Sequence, residues 1–368
     1  MVAAREIRSI LVLAVFLALL SSPTLAQTSR PDATSGADLA EPQSTPAIFQ
    51  GLEVGAWGWL SAVHTSDDGG EVYWSGEGSL SATKSFNGQF ALSAQGDFID
   101  ANNQVRGVLE QGYATLLLSD HWQTALTVGK FNAGIGVEAR DFWNRTDATT
   151  SLIFGALPQD LVGIMITQPL PGTDIKLRPF VAEGIEGTFD FGKAPSGGLM
   201  VQYQPSDQLN IGLTNWIGPG YMPANWSSSD YYEAPALNWV GPQILASPQG
   251  ILYLLDANVT WNVATDLSLA AEFVYAANSA SPHDIGWTGF LVQGNYTLTE
   301  NWRLFARWSY LDDAVGLITS DPAVHNELSA GVAYSLNRHL EVRAEYRHDF
   351  STDYGADDLY SIDLTFGF

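Results

Sequence analysis

Four arginines stand in two pairs four residues apart, Arg303 with Arg307 and Arg343 with Arg347. An even spacing keeps each pair on one face of an extended strand, where side chains alternate with period two. Between the pairs, Ser329, Gly331, Ala333 and Ser335 occupy alternate positions, and their small size leaves the guanidinium groups room. Acids stand at comparable positions: Glu327, Glu341, Glu345 and Asp363, with Glu272 and Asp256 earlier in the chain. Two kinds of chemistry fit this set. Separated basic and acidic rows facing each other across water make a transverse field that orients and filters polar solutes. Opposite charges on neighbouring strands make ion pairs that knit a wall together, the commoner use of any single such residue.

A second concentration of hydrogen-bonding groups lies at Glu138, Arg140, Asp141, Trp143, Asn144 and Arg145, inside a stretch from 132 to 160 without strand-like alternation. An irregular segment of that length is often functional. It either folds into the interior and narrows it or remains a surface loop. The stretch 218–249 carries Tyr221, Trp226, Tyr231, Tyr232 and Trp239 beyond Trp216. Those rings could stack on sugars, but packing beneath a long loop is the simpler use.

Enzyme chemistry finds little support. His64, His121, His283, His325, His339 and His348 are scattered and show neither a triad nor a metal spacing. Gly76-Glu77-Gly78-Ser79 lacks the order of a nucleophile elbow, and no helix follows Gly134-Ile135-Gly136 to hold a dinucleotide. Asp67, Asp68 and Glu71 could bind calcium weakly, without the spacing of a calcium hand. No nucleotide or metal cofactor is implied.

The elements that position these residues are strands. Tyr360, Ile362, Leu364, Phe366 and Phe368 alternate with Ser361, Asp363, Thr365 and Gly367, and the preceding stretch sets Leu340, Val342, Ala344 and Tyr346 against Glu341, Arg343, Glu345 and Arg347. Tight turns recur at Ser335–His339, Thr297–Asn301, Asn262–Asp266 and Gln204–Gln208, each followed at once by Leu or Trp. Longer polar connections fall between them, at 64–71, 99–104, 132–160, 185–197, 218–249, 278–286, 312–325 and 351–357. This alternation predicts an all-β fold over 51–368. It is a closed antiparallel transmembrane β-barrel of about sixteen strands, with short periplasmic turns and long extracellular loops. Aromatics near both strand ends, among them Trp122, Tyr203, Trp261 and Trp302 at one and Phe98, Tyr275, Trp287 and Tyr310 at the other, fit two interfacial girdles.

Arg5 and Arg8, the apolar run Ile10–Leu20 and the small-residue site Thr24-Leu25-Ala26 predict a secretory signal peptide over 1–26. Residues 27–50, rich in Pro, Ser, Thr and Gln, read as a flexible periplasmic leader. The chain has no cysteine, so no disulfide staples it. Its net charge of -24 excludes nucleic acid as a partner. Aromatic residues at 12% exclude a disordered chain.

The closing Leu364-Thr365-Phe366-Gly367-Phe368 resembles the last strand of outer-membrane proteins, in which a final Phe is read by the barrel-assembly machinery. Gly129-Lys130-Phe131-Asn132-Ala133-Gly134-Ile135-Gly136-Val137-Glu138, followed by Asn144 and Ser151-Leu152-Ile153-Phe154, resembles the OmpL-like β-barrel porin family. That resemblance implies a pore-forming barrel embedded in outer-membrane lipid of a Gram-negative-type bacterium, passing small polar solutes down their gradient. It also implies a homo-oligomer, commonly a trimer, although the sequence shows no interface. A plugged or narrow barrel acting in adhesion through its outer loops is the other reading, and a lipid hydrolase a third.

Overall fold

The computed structural model describes residues 51–66, 72–86, 88–101, 104–139, 144–183, 195–219, 251–279, 285–313, 323–352 and 355–368. The predicted signal peptide and leader lie outside these, as do Arg140, Asp141 and Trp143, the 67–71 acids, His283 and the aromatics of 220–250.

Sixteen strands follow one another: β1 (Leu52–Thr65), β2 (Val72–Phe86), β3 (Phe90–Ala101), β4 (Gln104–Ser119), β5 (Thr124–Asn132), β6 (Asp160–Pro169), β7 (Ile175–Glu183) and β8 (Pro195–Ser206). The second half is β9 (Leu209–Pro219), β10 (Ile251–Asn262), β11 (Leu267–Asn278), β12 (Ile285–Thr297), β13 (Trp302–Asp313), β14 (Ala323–Asn337), β15 (Leu340–Ser351) and β16 (Gly355–Gly367). Each pairs antiparallel with its sequence neighbours, and β1 pairs with β16 to close the barrel. At the seam Phe368 N donates to Ala56 O at 2.8 Å, and Ala56 N donates back to Phe368 O at 3.2 Å. Closure leaves no sheet edge, the only way a sheet survives in hydrocarbon.

The turns form for local reasons. Asn337 Oδ1 accepts from His339 N at 2.8 Å, and Thr299 Oγ1 accepts from Asn301 N and Trp302 N. These side chains satisfy backbone donors that a two-strand reversal would otherwise strand.

Burial inverts that of a soluble protein. Ile362, Tyr360, Leu328 and Val292 are exposed, whereas Asp363, Thr365, Ser309 and Glu327 on the alternate positions are buried. The apolar rows therefore look outward, as the outer face of a membrane barrel requires, and the polar rows inward, not into a seam between two sheets.

Three expectations need correction. The connections expected at 99–104 and 351–357 shrink, because β3 reaches Ala101, β4 starts at Gln104, and β15 and β16 approach to Ser351 and Gly355. Strands of up to 16 residues outrun the 9–11 that a bilayer needs, so pairing continues beyond it. Trp287 is not in a girdle: it points inward at 2% exposure. Nor is the inner wall polar all round. Phe131, Leu161, Phe180, Trp216, Leu254, Val274, Trp287, Leu291 and Leu311 face inward near the long-loop end and form one cluster with residues of segment 133–159.

Candidate functional site

That cluster exists because the segment between β5 and β6 enters the barrel and must bury its apolar side. Its neck is closed by Ala133 N donating to Gln159 O at 2.9 Å, and Asn132 Oδ1 accepts from Gly134 N at 2.8 Å. Gly136 has φ +85°, and a Cβ there would lie 2.8 Å from Leu157 Cδ1 and 2.9 Å from Glu272 Oε1, so only glycine lets the chain pass this close to the wall. Val137 N donates to Glu272 Oε2 at 2.8 Å. Beside it on β10, Asp256 accepts from the Gly136 backbone N–H and from Asn258 Nδ2 at 2.6 Å. The two acids found in the sequence thus hold the root of the segment. Further on, Ile153, Ala156 and Leu157 pack into the inner wall around a single 3-10 turn, Phe154–Ala156. Burying an Ile or Leu side chain contributes about 1.5–3 kcal/mol.

The polar side of the segment meets the four arginines. Register puts Ser329 of β14 between Arg307 and Arg347, and Ala333 between Arg303 and Arg343. The small residues do leave room. Arg307 binds Glu327 at 2.6 Å on the neighbouring strand, then Asp147 at 2.9 Å and Glu138 at 3.1 Å on the segment, and donates to Thr149 O at 2.7 Å. Arg343 reaches Glu341 at 2.7 Å and Asp147 O at 3.2 Å. Arg347 binds Asp349 at 2.8 Å and Glu327 at 3.3 Å, and donates to Thr150 O at 2.7 Å. Arg303 donates to Thr146 O at 2.8 Å and pairs with Glu341 at 3.0 Å. Glu345 accepts from Ala148 N at 2.7 Å, Thr149 N at 3.0 Å and Thr149 Oγ1 at 2.6 Å. Glu327 accepts from Leu152 N at 3.2 Å, and Glu138 accepts from Ser151 N and Oγ.

Bases and acids are therefore interleaved, not separated into facing rows. Arg307–Glu327, Arg347–Glu327 and Arg303–Glu341 join different strands, Arg343–Glu341 and Arg347–Asp349 run along one strand, and Glu138, Asp147 and the Thr146, Thr149 and Thr150 carbonyls come from the segment. Buried ion pairs about balance their desolvation. The apolar side therefore supplies the net attraction, and the charges fix where the segment sits. Asp363 lies inward on β16 opposite Ser61 and Arg343. Arg145 donates to Ala139 O at 2.9 Å and lies over the Phe154 ring, which holds the segment's own fold, while Asn144 is exposed. Burial pushes the Asp147 carboxyl up to about 7 against the pull of Arg307, with Glu345, Glu138 and Glu327 adding repulsion. Burial likewise raises Glu138.

Sequence reasoning missed Asp147 and Thr149 as docking groups and the inward apolar wall. The wall had a signal: Ile251-Leu252-Tyr253-Leu254-Leu255 breaks alternation, as strands buried on both faces do.

Residues 74–366 match the model of the family described as "Putative beta-barrel porin-2, OmpL-like". The chain belongs to this family. No curated protein matches it. Among solved structures it is similar to the anion-selective porin from Comamonas acidovorans, with 10% identity, TM-score 0.62, and 86% of this chain and 99% of that one covered. The outer membrane channel DcaP of Acinetobacter baumannii gives 11% identity, TM-score 0.59, and 90% and 100% coverage. A trimer form of OmpT, an outer membrane protein of Vibrio cholerae, gives 11% identity, TM-score 0.57, and 86% and 99% coverage. At such identity these likenesses speak for the fold alone. The OmpL-like family and the barrel together make this a porin-like outer-membrane protein.

Proposed function

We propose that the protein is a passive, restrictive diffusion channel for small polar solutes, its aqueous path set by segment 133–159. The observation that carries this reading is the segment's position: it hangs inside the barrel, fastened to the β13–β15 wall by side chains on both partners. In this reading Arg303, Arg307, Arg343 and Arg347, with Glu341, Glu345 and Asp363, hold the constriction's geometry, and Glu272 and Asp256 hold its root. Glu138 and Arg145 keep the segment folded, with Asn144 exposed beside them, and Arg140 and Asp141 are proposed to line the path with them. Residues 1–26 direct export, Phe368 is the mark read by the barrel-assembly machinery, and the barrel sits in outer-membrane lipid as a trimer. Membership of a porin family speaks against enzyme activity.

Planar-bilayer conductance and liposome swelling with sugars of increasing size test the reading. Swelling with the smallest solutes, and a higher conductance once residues 136–149 are removed, is expected. A second reading has one observation in its favour: inward charged side chains on both walls, Arg307, Arg347, Glu327 and Asp97, are buried. A barrel filled at that level would serve in adhesion or structure through its outer loops. Absence of permeation before and after the deletion would rule out the channel.

A further inference from the structure

Separated from the arginine-bearing wall by β16 and β1, the strands β2, β3 and β4 gather three carboxylates that the sequence did not single out. Glu77, Asp97 and Glu110 are all buried, and one oxygen from each lies within 4.8 Å of the others. Glu110 reaches this place through a β-bulge: pairing runs Gln95↔Gln111 and then Gly96↔Leu109, so Glu110 is the additional residue. A bulge of this kind re-aims a side chain, and here it adds a third acid to a pair already facing inward. Trp59 Nε1 donates to Glu77 Oε2 at 3.3 Å, and Gln95 Nε2 donates to Glu110 Oε2 at 2.6 Å, which fixes two of the three carboxylates.

A second, independent feature points into the cluster. Ser79 stands two residues from Glu77 on the same inward face and directly across from Asp97. Its side chain is fully buried and its Oγ has no hydrogen-bond partner, and Asp97 Oδ1 also has none. Beside the cluster, Lys130 pairs with Asp160 at 3.4 Å and donates to Leu109 O at 3.1 Å. Carboxylate oxygens held within 4.8 Å of one another repel, and a cation seated among them turns that repulsion into attraction.

We propose that Glu77, Asp97 and Glu110, with the Ser79 hydroxyl, bind a hard divalent cation of the calcium class. Oxygen donors alone, with neither thiolate nor imidazole, select calcium, magnesium or manganese over softer metals. Oxygens within 4.8 Å of one another span no more than two calcium–oxygen bonds of about 2.4 Å. The cation would clamp three consecutive strands through their side chains, in a role separate from solute passage.

The full-length barrel in detergent, freed of metal by chelator, provides the test. Terbium stands in for calcium, and the Trp59 indole bonded to Glu77 is placed to sensitise its emission. Sensitised emission that calcium competes away, with affinity falling about tenfold or more in Asp97→Asn and in Glu110→Gln, supports the site. Titrations identical in wild type and both variants overturn it, since the emission then comes from surface acids. Heat-modifiable gel mobility confirms that each variant still closes. Melting gives a second decision independent of terbium. Calcium should raise the wild-type transition but not that of Glu110→Gln, and in chelator the variant should melt above wild type because a repulsion is gone. A variant that melts below wild type in chelator would show that the acids are neutralised internally, and the proposal would fall.

Discussion

Around Arg307, on β13–β15, acids and guanidinium groups alternate in space and the inserted segment closes over them. On β2–β4, Glu77, Asp97 and Glu110 crowd together with Ser79 beside them. Both walls descend from the same rule, that the inward face of a membrane strand takes the polar residues. They differ in what neutralises the charge. One wall uses the chain's own cations and makes them docking points for a loop. The other, by our reading, borrows its cation from solution. Buried charge is tolerated only when paired, so the kind of pairing decides whether a wall holds a moving part or a fixed clamp.

Removing the central cation should separate the walls most sharply. Arg307→Leu leaves Glu138, Asp147 and Glu327 without their shared partner, a change that typically costs about 3–5 kcal/mol for a buried pair. The segment should leave the wall, with conductance rising and proteolysis within 136–149 becoming fast, while the barrel remains heat-modifiable on gels. Unchanged conductance would mean that the arginines are wall ties only.

The apolar side of the same docking can be broken without touching charge. Gly289 on β12 lies directly beneath Ile153, and a Cβ there would overlap Ile153 Cγ2. Gly289→Val should overpack the contact by about 1–3 kcal/mol. Partial release of the segment, seen as a smaller conductance increase than for Arg307→Leu, is the expected result. If the valine variant exceeds the arginine one, burial and not charge decides where the segment sits.

Acidity should act through Asp147, which Arg307 of β13, Glu327 of β14, and Glu345 and Arg343 of β15 face, together with Glu138 of the segment itself. Docked, this carboxyl titrates at about 7; released, it returns towards 3.8, so the docked form binds the additional proton. Lowering the pH from 8 to 6 therefore favours docking and lowers conductance, by at most about tenfold in the released population per pH unit. Glu138, also raised, acts in the same direction. Asp147→Asn should flatten this response, and a response of opposite sign would show that the ion pair with Arg307 outweighs burial.

How much of this was legible beforehand follows from which interactions are local. The strand count and the inward arginines came from period-two alternation and turn residues, which depend on near neighbours, and the closing strand at Phe368 from its resemblance to outer-membrane proteins. Register could even be read well enough to place Ser329 and Ala333 beside the arginines. What lay hidden depends on contacts far apart in sequence: Asp147 meets Arg307 across 160 positions, and Glu138 meets it across 169. The bulge at Glu110 was hidden for another reason, because one additional residue in a strand leaves no mark in composition, only a change of face. Trp287 was misplaced because a ring near a strand end looks the same in sequence whether it faces headgroups or a buried loop.

Arg303 provides the mildest test, and it isolates burial as the variable. Like Arg307 it reaches a segment carbonyl and a glutamate, Thr146 O and Glu341, and it also bonds Asn295 Oδ1 at 2.9 Å. Unlike Arg307, whose side chain is 0% exposed, it keeps 22% of its side-chain surface, so water can replace what a substitution removes. Arg303→Gln should therefore cost under about 1 kcal/mol, in the range of partly solvated pairs, and should shift conductance least of the four perturbations. Adding salt should weaken the wild-type contribution of Arg303 but leave that of Arg307 nearly intact, since buried pairs are screened less. If Arg303→Gln releases the segment as fully as Arg307→Leu, docking depends on the number of arginines along the wall. An effect confined to Arg307 ties it to a guanidinium enclosed by carboxylates from both wall and segment.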